Sequence, residues 1–320
     1  MKDCKIVLDA MGSDGGVFAT VKGAAMALKE RADLSLLIVG DEEKINEILK
    51  TEGADTDRVE VLCASEVITN YDSPAEALFT KRDSSLVRAL GALAEREDLV
   101  GLVNAGSTGA LIAGAMRFLP SKERKRPALA VLLPAKKGGY VCLVDAGATV
   151  DCTPEMILHF AKLGVGFMKD MYGIESPRVG LLSNGKESTK GNRVVKDAHQ
   201  LLLSCAEINF VGNMEGTDAL SGDCDVLACD GFSGNQVLKV TEATAQRIIG
   251  DIVKIAKSRG KSEYMELVGE LVKKYDFGSL SGGIILGVSK PVIKAHGSSD
   301  PEGIKNVIFM MHSLSKNRLG

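Results

Sequence analysis

Six polar, glycine-bearing stretches carry the residues that could do chemistry in this chain, and each follows a short apolar run. They are Asp9-Ala10-Met11-Gly12-Ser13-Asp14-Gly15-Gly16, Asn104-Ala105-Gly106-Ser107-Thr108-Gly109, Asp145-Ala146-Gly147-Ala148-Thr149, 184–192 (NGKESTKGN), Asp230-Gly231-Phe232-Ser233-Gly234-Asn235 and Lys294-Ala295-His296-Gly297-Ser298-Ser299. In an open parallel sheet the ligand crevice lies beyond the carboxyl ends of the strands, where such stretches would fall. The 104–109 stretch sets two glycines and two hydroxyls before an apolar helix, and free N–H groups and the positive dipole end there attract an anion. One such loop reads equally as a strand-to-helix turn capped by Ser or Thr. Several at one sheet edge point to phosphate, with Lys186, Lys190 and Lys294 as charge or as plain surface lysines.

Familiar catalytic signatures fail. Gly180 to Glu187 reads G-x-x-x-x-G-K-E, yet Gly180 falls inside an apolar run and Glu187 stands where a P-loop has Ser or Thr. The first turn lacks G-x-G-x-x-G, and neither a G-x-S-x-G elbow nor H-E-x-x-H occurs. Of four histidines, His159, His199 and His312 fall in helical stretches, leaving His296 in a loop. Cys152 is a conceivable nucleophile, but dispersed thiols are mostly small core residues. No metal or cofactor is expected.

The elements that must hold these loops alternate in βα fashion. Apolar runs predict strands at 4–9, 34–39, 59–63, 100–103, 128–133, 140–145, 178–182, 208–211, 225–229 and 283–288, in a mostly parallel sheet with flanking helices. Thr153 as cap and Pro154 at the first turn open a helix over 153–171. Residues 234–274 break the alternation: two amphipathic segments separated by Ser258-Arg259-Gly260-Lys261 predict a helical hairpin, its apolar stripe packed on its own core or on a second subunit.

Composition bounds the functions. At 320 residues the chain is long enough for two domains or one large α/β unit. A net charge of −3 gives no global field for nucleic acid, and 4% aromatics with no Trp leaves no base-stacking platform. Its 35 glycines, about 11% against a usual ~7%, suit backbone-lined small-molecule loops. Seven scattered cysteines without a C-x-x-C pair, a first segment without signal-peptide character and no long apolar run predict a reducing, cytoplasmic setting.

The loop strings, with Ala64-Ser65-Glu66-Val67-Ile68, Lys81-Arg82-Asp83-Ser84-Ser85, Arg126-Pro127-Ala128-Leu129-Ala130, Lys190-Gly191-Asn192 and Ile208-Asn209-Phe210-Val211-Gly212-Asn213, resemble the PlsX family of phosphate acyltransferases of bacterial phospholipid synthesis, in order along nearly the whole chain. The resemblance implies transfer of an acyl group from acyl carrier protein to inorganic phosphate. It also implies an isocitrate/isopropylmalate dehydrogenase-like α/β fold of two interlocked lobes with a helical hairpin, and a homodimer. Both termini would lie in one lobe, 1–105 with 276–320, and the middle, 106–275, in the other. Peripheral contact with the inner face of the membrane and a downstream glycerol-phosphate acyltransferase there are further implications. The start departs from the family pattern at Gly15-Gly16-Val17, and Lys186-Glu187-Ser188-Thr189 replaces an acidic run.

Phosphate near pH 7 is already an anionic nucleophile, so attack on a thioester needs positioning and charge stabilisation rather than an activated side chain. Asn104, Gly106, Ser107, Thr108 and Asn192 are expected to bind phosphate or substrate, as are Asn184, Lys186, Asn235 and Ser298, and Lys190 is expected to be catalytic through phosphate. Lys294 and His296 are expected to stabilise the oxyanion or protonate the departing thiolate; Asp145 and Asp230 line the site and orient its other groups rather than act as bases. Acyl carrier protein is acidic, so the basic run Lys122-Glu123-Arg124-Lys125-Arg126 and the hairpin's Lys254, Lys257, Arg259 and Lys261 are expected docking surfaces. A phosphate acetyltransferase using coenzyme A would share this logic, and a noncatalytic lipid-synthesis scaffold would keep the hairpin without the loops.

Overall fold

Runs of Leu, Ile and Val without alternation make strands covered on both faces, and these dominate the computed structural model, which describes residues 4–260, 264–275 and 282–319. The chain divides into two compact units, Met1–Pro127 with Ser281–Gly320, and Ala128–Leu280.

In the first unit the strands are β1 (Cys4–Asp9), β2 (Leu34–Gly40), β3 (Val59–Cys63), β4 (Leu99–Asn104), β10 (Gly283–Leu286) and β11 (Val292–Lys294), ordered β3-β2-β1-β4-β11-β10. All neighbours are parallel except the β10–β11 pair. Ile6, Val7, Leu8 and Leu36 to Val39 are fully buried. Helices α1 (Gly16–Glu30), α2 (Glu42–Thr51), α3 (Pro74–Thr80), α4 (Ser85–Glu95), α5 (Thr108–Phe118) and α10 (Pro301–Leu319) complete the unit. α1 lies so close to α10 that a Cβ at Gly23 would stand 2.6 Å from the Pro301 carbonyl. α5 packs on α3 and α4, so the division expected after residue 105 falls at 127/128; of the boundary expected at 275/276, residue 276 lies outside the described residues.

The second unit has β5 (Ala128–Pro134), β6 (Tyr140–Val144), β7 (Arg178–Leu182), β8 (Asn209–Met214) and β9 (Val226–Ala228), ordered β5-β6-β9-β7-β8 and parallel except for the β5–β6 hairpin. α6 (Pro154–Tyr172) starts as its sequence dictates: Thr153 accepts from the Met156 N–H, Pro154 sits in the first turn, and Gly173 ends the helix in the left-handed region at φ 64°. It buries Ile157, Phe160 and Met168 against β6 and β9, where Phe160→Ala would cost about 3–5 kcal/mol. α7 (Arg193–Ser204) follows β7.

The expected helical pair is present as α8 (Gly231–Ser258) and α9 (Tyr264–Tyr275), which pack on each other. α8 starts three residues earlier than its apolar stripe suggests because Asp230 caps it. Lys261 of the expected turn lies outside the described residues. Val240, Ile248, Ile255 and Leu267 remain more than half exposed along this pair. Among the described residues no helix is long and apolar enough to cross a membrane.

Candidate active site

Parallel strands deliver their following loops to one edge, and in the first unit three loops meet there, after β1, β4 and β11. β11 pairs with β4 in a register that sets Lys294 beside Asn104, and the Ala295 N–H donates to the Asn104 carbonyl at 2.8 Å. Asp14 N–H reaches the Gly297 carbonyl at 2.9 Å. Gly12 has φ 86°, and a Cβ there would come within 3.3 Å of the Gly106 Cα. A side chain at residue 12 would therefore be strained and would also push the 104–109 loop away.

Beneath these loops Asp9 is buried and works through side chains. Its Oδ2 accepts from Asn104 Nδ2 at 2.7 Å, its Oδ1 from the Met11 N–H at 3.0 Å, and Ser85 adds a side-chain hydrogen bond. Burial outweighs these donors and pushes the Asp9 carboxyl up to about 6. Asn104 spends its other end on the Gly106 N–H at 2.9 Å, so it shapes the loop rather than offering atoms to a ligand. Ser107, 8% exposed, stands at the N-cap position of α5 without capping it, and Thr108 is half-buried beside it. These two hydroxyls border a helix N-terminus, the arrangement that favours an anion.

Across the same loops, His296 is exposed. Its Nδ1 accepts from the Ser298 N–H at 3.3 Å and lies 2.8 Å from Ser298 Oγ. With Nδ1 an acceptor, the neutral ring carries its proton on Nε2, where it can donate a hydrogen bond. Lys294 is half-buried and its Nζ donates to the Ala295 carbonyl.

The second unit repeats the device with main-chain partners. Asp145 is fully buried; its Oδ1 accepts from Leu129, Gly147 and Ala148 N–H at 2.9, 3.2 and 2.9 Å, and its Oδ2 from Thr149 N–H at 2.7 Å. Burial still holds its carboxyl above the ordinary range. Gly231 N–H donates to the Thr149 carbonyl at 2.8 Å, and a Cβ at Gly231 would stand 2.7 Å from Asp145 Oδ2, so only glycine lets α8 start against this loop. Asp230 caps α8 through the Ser233 N–H at 2.8 Å, and the Asn235 amide lies over Gly147. Asn184 accepts from the Gly191 N–H at 2.8 Å and Asn192 caps α7 through the Val195 N–H at 2.9 Å. Lys190 is exposed, and Lys186 pairs with Asp218 at 3.2 Å.

Of the expected residues, then, Asn104, Asp145, Asn184, Asn192 and Asp230 hold backbone, whereas Ser107, Thr108, His296, Ser298 and Lys294 cluster at one loop edge. Asp9, Ser85 and Gly12 belong to that cluster and are not among the expected site residues; a carboxylate closing the apolar run Ile6-Val7-Leu8 is the available signal. His199 pairs with Asn213 at 2.9 Å inside the second unit, and burial lowers the His312 pKa beside Asp33. The Cys229 thiol donates to the Asp145 carbonyl at 3.3 Å and is pushed well up by burial, which makes it a poor nucleophile. Among the described residues no group of three His, Cys, Asp or Glu is arranged to hold a metal ion.

Residues 4–319 match the family model described as fatty acid synthesis protein. The chain is 40% identical to a phosphate acyltransferase of Halothermothrix orenii over 99% of this chain and 96% of that protein. It is 40% identical to one of Lactococcus lactis subsp. cremoris over 97% and 94%. Among solved structures it resembles the EutD phosphotransacetylase of Staphylococcus aureus, with TM-score 0.62, 17% identity and coverage of 98% and 94%. It also resembles a 4-hydroxythreonine-4-phosphate dehydrogenase of Klebsiella pneumoniae, with TM-score 0.55, 13% identity and coverage of 97% and 99%. At such identities these two speak for the fold.

Proposed function

The chain belongs to the fatty acid synthesis protein family, and we propose from that premise that it is an acyltransferase converting acyl-[acyl carrier protein] and inorganic phosphate to acyl phosphate and free carrier protein, for phospholipid synthesis. The observation that carries this reading is the near full-length identity to proteins named phosphate acyltransferase.

The first unit's loop cluster fits the chemistry. A phosphate oxygen attacks the thioester carbonyl, the C–S bond breaks, and the departing thiolate takes up a proton. The α5 N-terminus with Ser107 and Thr108 holds the phosphate by N–H and hydroxyl donation, an arrangement that needs no nucleophilic side chain. Lys294 offsets the negative charge that grows on the carbonyl oxygen, and the His296 Nε2–H donates a hydrogen bond to the departing sulfur, which takes up the proton that the attacking hydrogenphosphate releases. We assign the fold the finer description of isocitrate/isopropylmalate dehydrogenase-like.

A homodimer would cover the exposed apolar residues of α8 and α9, and their basic residues suit shallow, salt-sensitive contact with anionic lipid, each worth about 1 kcal/mol. The reading places the enzyme in the cytoplasm, at the inner face of the membrane where a glycerol-phosphate acyltransferase would consume the product.

The test is phosphate-dependent release of free carrier protein from a long-chain acyl carrier protein, with acyl phosphate as the second product. Efficient turnover of acetyl-coenzyme A in place of the carrier-bound donor would instead favour a phosphate acetyltransferase. No acyl phosphate from either donor would favour a noncatalytic scaffold.

A further inference from the structure

The loop after α5 borders a half-open cavity of about 220 Å³, whose lining includes Met116, Arg117, Arg124 and Lys125. Two of its neighbours are apolar and open to solvent: Phe79 is 55% exposed and Met116 40%. The Arg117 guanidinium lies 3.9 Å from the centre of the Phe79 ring, so a charge and an aromatic face are presented together. Arg124 takes a left-handed backbone at φ 51°, in a turn closed by its N–H to the Ser121 carbonyl at 3.0 Å. Arg124 and Lys125 are both exposed, although Lys125 keeps an ion pair to Glu123 at 2.6 Å. Residues 117–126 hold five basic side chains (Arg117, Lys122, Arg124, Lys125, Arg126) and one acidic (Glu123), a local +4 on a chain of net −3.

We propose that this cavity and its rim, Phe79, Met116, Arg117, Arg124 and Lys125, dock the acidic carrier protein that brings the acyl group. The proposal rests on the acyltransferase reading above and names where its macromolecular substrate sits. Arg, Met and an aromatic anchor are the residue types enriched in such interfaces, and a patch of one sign steers an oppositely charged partner. The placement suits a donor that carries its thioester on a flexible arm, because docking surface and reacting carbonyl must then be separated. The eleven residues of α5 set the cavity about 16 Å from the Ser107 loop. Gly109, Ala113 and Met116 form an outward stripe between the two ends, exposed, half-buried and exposed in turn.

Two measurements test this on one set of proteins: binding of free carrier protein by titration, and turnover of its acyl form. The charge reversals Arg124→Glu with Lys125→Glu should weaken carrier binding at least tenfold and raise the carrier KM by a similar factor. The phosphate KM should stay within twofold, which also shows that the variant is folded. Wild-type binding should weaken with salt, and the variant's salt dependence should be shallower. Carrier binding within twofold of wild type in that double variant would overturn the proposal. So would loss of carrier binding confined to Lys254→Glu with Lys257→Glu on α8, or a loop variant that loses only its binding to anionic vesicles. Absence of acyl phosphate from the wild-type protein would refute the acyltransferase reading, while the titration would still decide whether this surface binds the carrier.

Discussion

Asp9 and Asp145 occupy equivalent places in the two units, each a buried carboxylate closing or following a strand beneath a glycine loop, yet they are satisfied in different ways. Asp145 accepts from four backbone N–H groups. Asp9 accepts from one, and otherwise from the side chains of Asn104 and Ser85. The Asp145 loop therefore has its shape fixed by its own main chain. The 104–109 loop is held by side chains from three separate segments, which makes it the more sensitive to substitution and to pH. The same contrast separates Ser107, which caps nothing, from Asn192 and Asp230, which cap helices.

The largest effect should come from Asp145→Ala, which leaves four backbone donors without their acceptor. At about 1 kcal/mol or more each, the loss is about 4 kcal/mol, seen as a lower urea midpoint with an unchanged slope. A loss below about 1 kcal/mol would mean that water replaces the carboxylate and that the two loops are not built differently.

Next comes the pH dependence that Asp9 imposes. Its carboxyl is raised from 3.8 to about 6 in the folded chain. Between those values the folded state holds the proton more tightly than the unfolded one, so this group's contribution to stability falls as pH rises through that window. The fall amounts to about 3 kcal/mol and levels off above pH 6 to 7. Asp9→Asn should flatten that part of the stability profile whatever its offset; an unchanged slope would place the titration elsewhere.

Lys294→Ala should lower turnover about tenfold, or about 1.4 kcal/mol, with the phosphate KM within twofold of wild type. Unaffected turnover would take Lys294 out of the reaction. The smallest effect sharpens the capping contrast: Asn192→Ala should lower stability by about 1 kcal/mol with the phosphate KM unmoved.

Much of this was legible in the sequence because it is local. Thr153-Pro154 marks a helix start by its own chemistry, and Leu34 to Val39 is a covered strand because every residue in it but Ser35 is apolar. β11 escaped because its three residues, Val292 to Lys294, are too few to show a pattern, and the expected strand 283–288 ends at 286, where the chain turns back toward it. The candidate site was legible as a set of loops, but not in the role of each residue. Asn104 reads as a ligand for phosphate until Asp9, 95 residues earlier, is seen to take its amide. Asn192 and Asp230 read as site groups until the helices that they cap are in place. Long-range partners decide whether a polar side chain is spent on the fold or left for a substrate.

The central claim is that the Ser107 loop of the first unit holds the reacting phosphate, and the phosphate saturation curve of Ser107→Ala at fixed long-chain acyl carrier protein tests it most directly. Because the hydroxyl caps nothing, the unfolding free energy from urea titration should stay within about 0.5 kcal/mol of wild type, while the apparent phosphate KM rises about tenfold. A phosphate KM equal to that of the wild type would contradict the account.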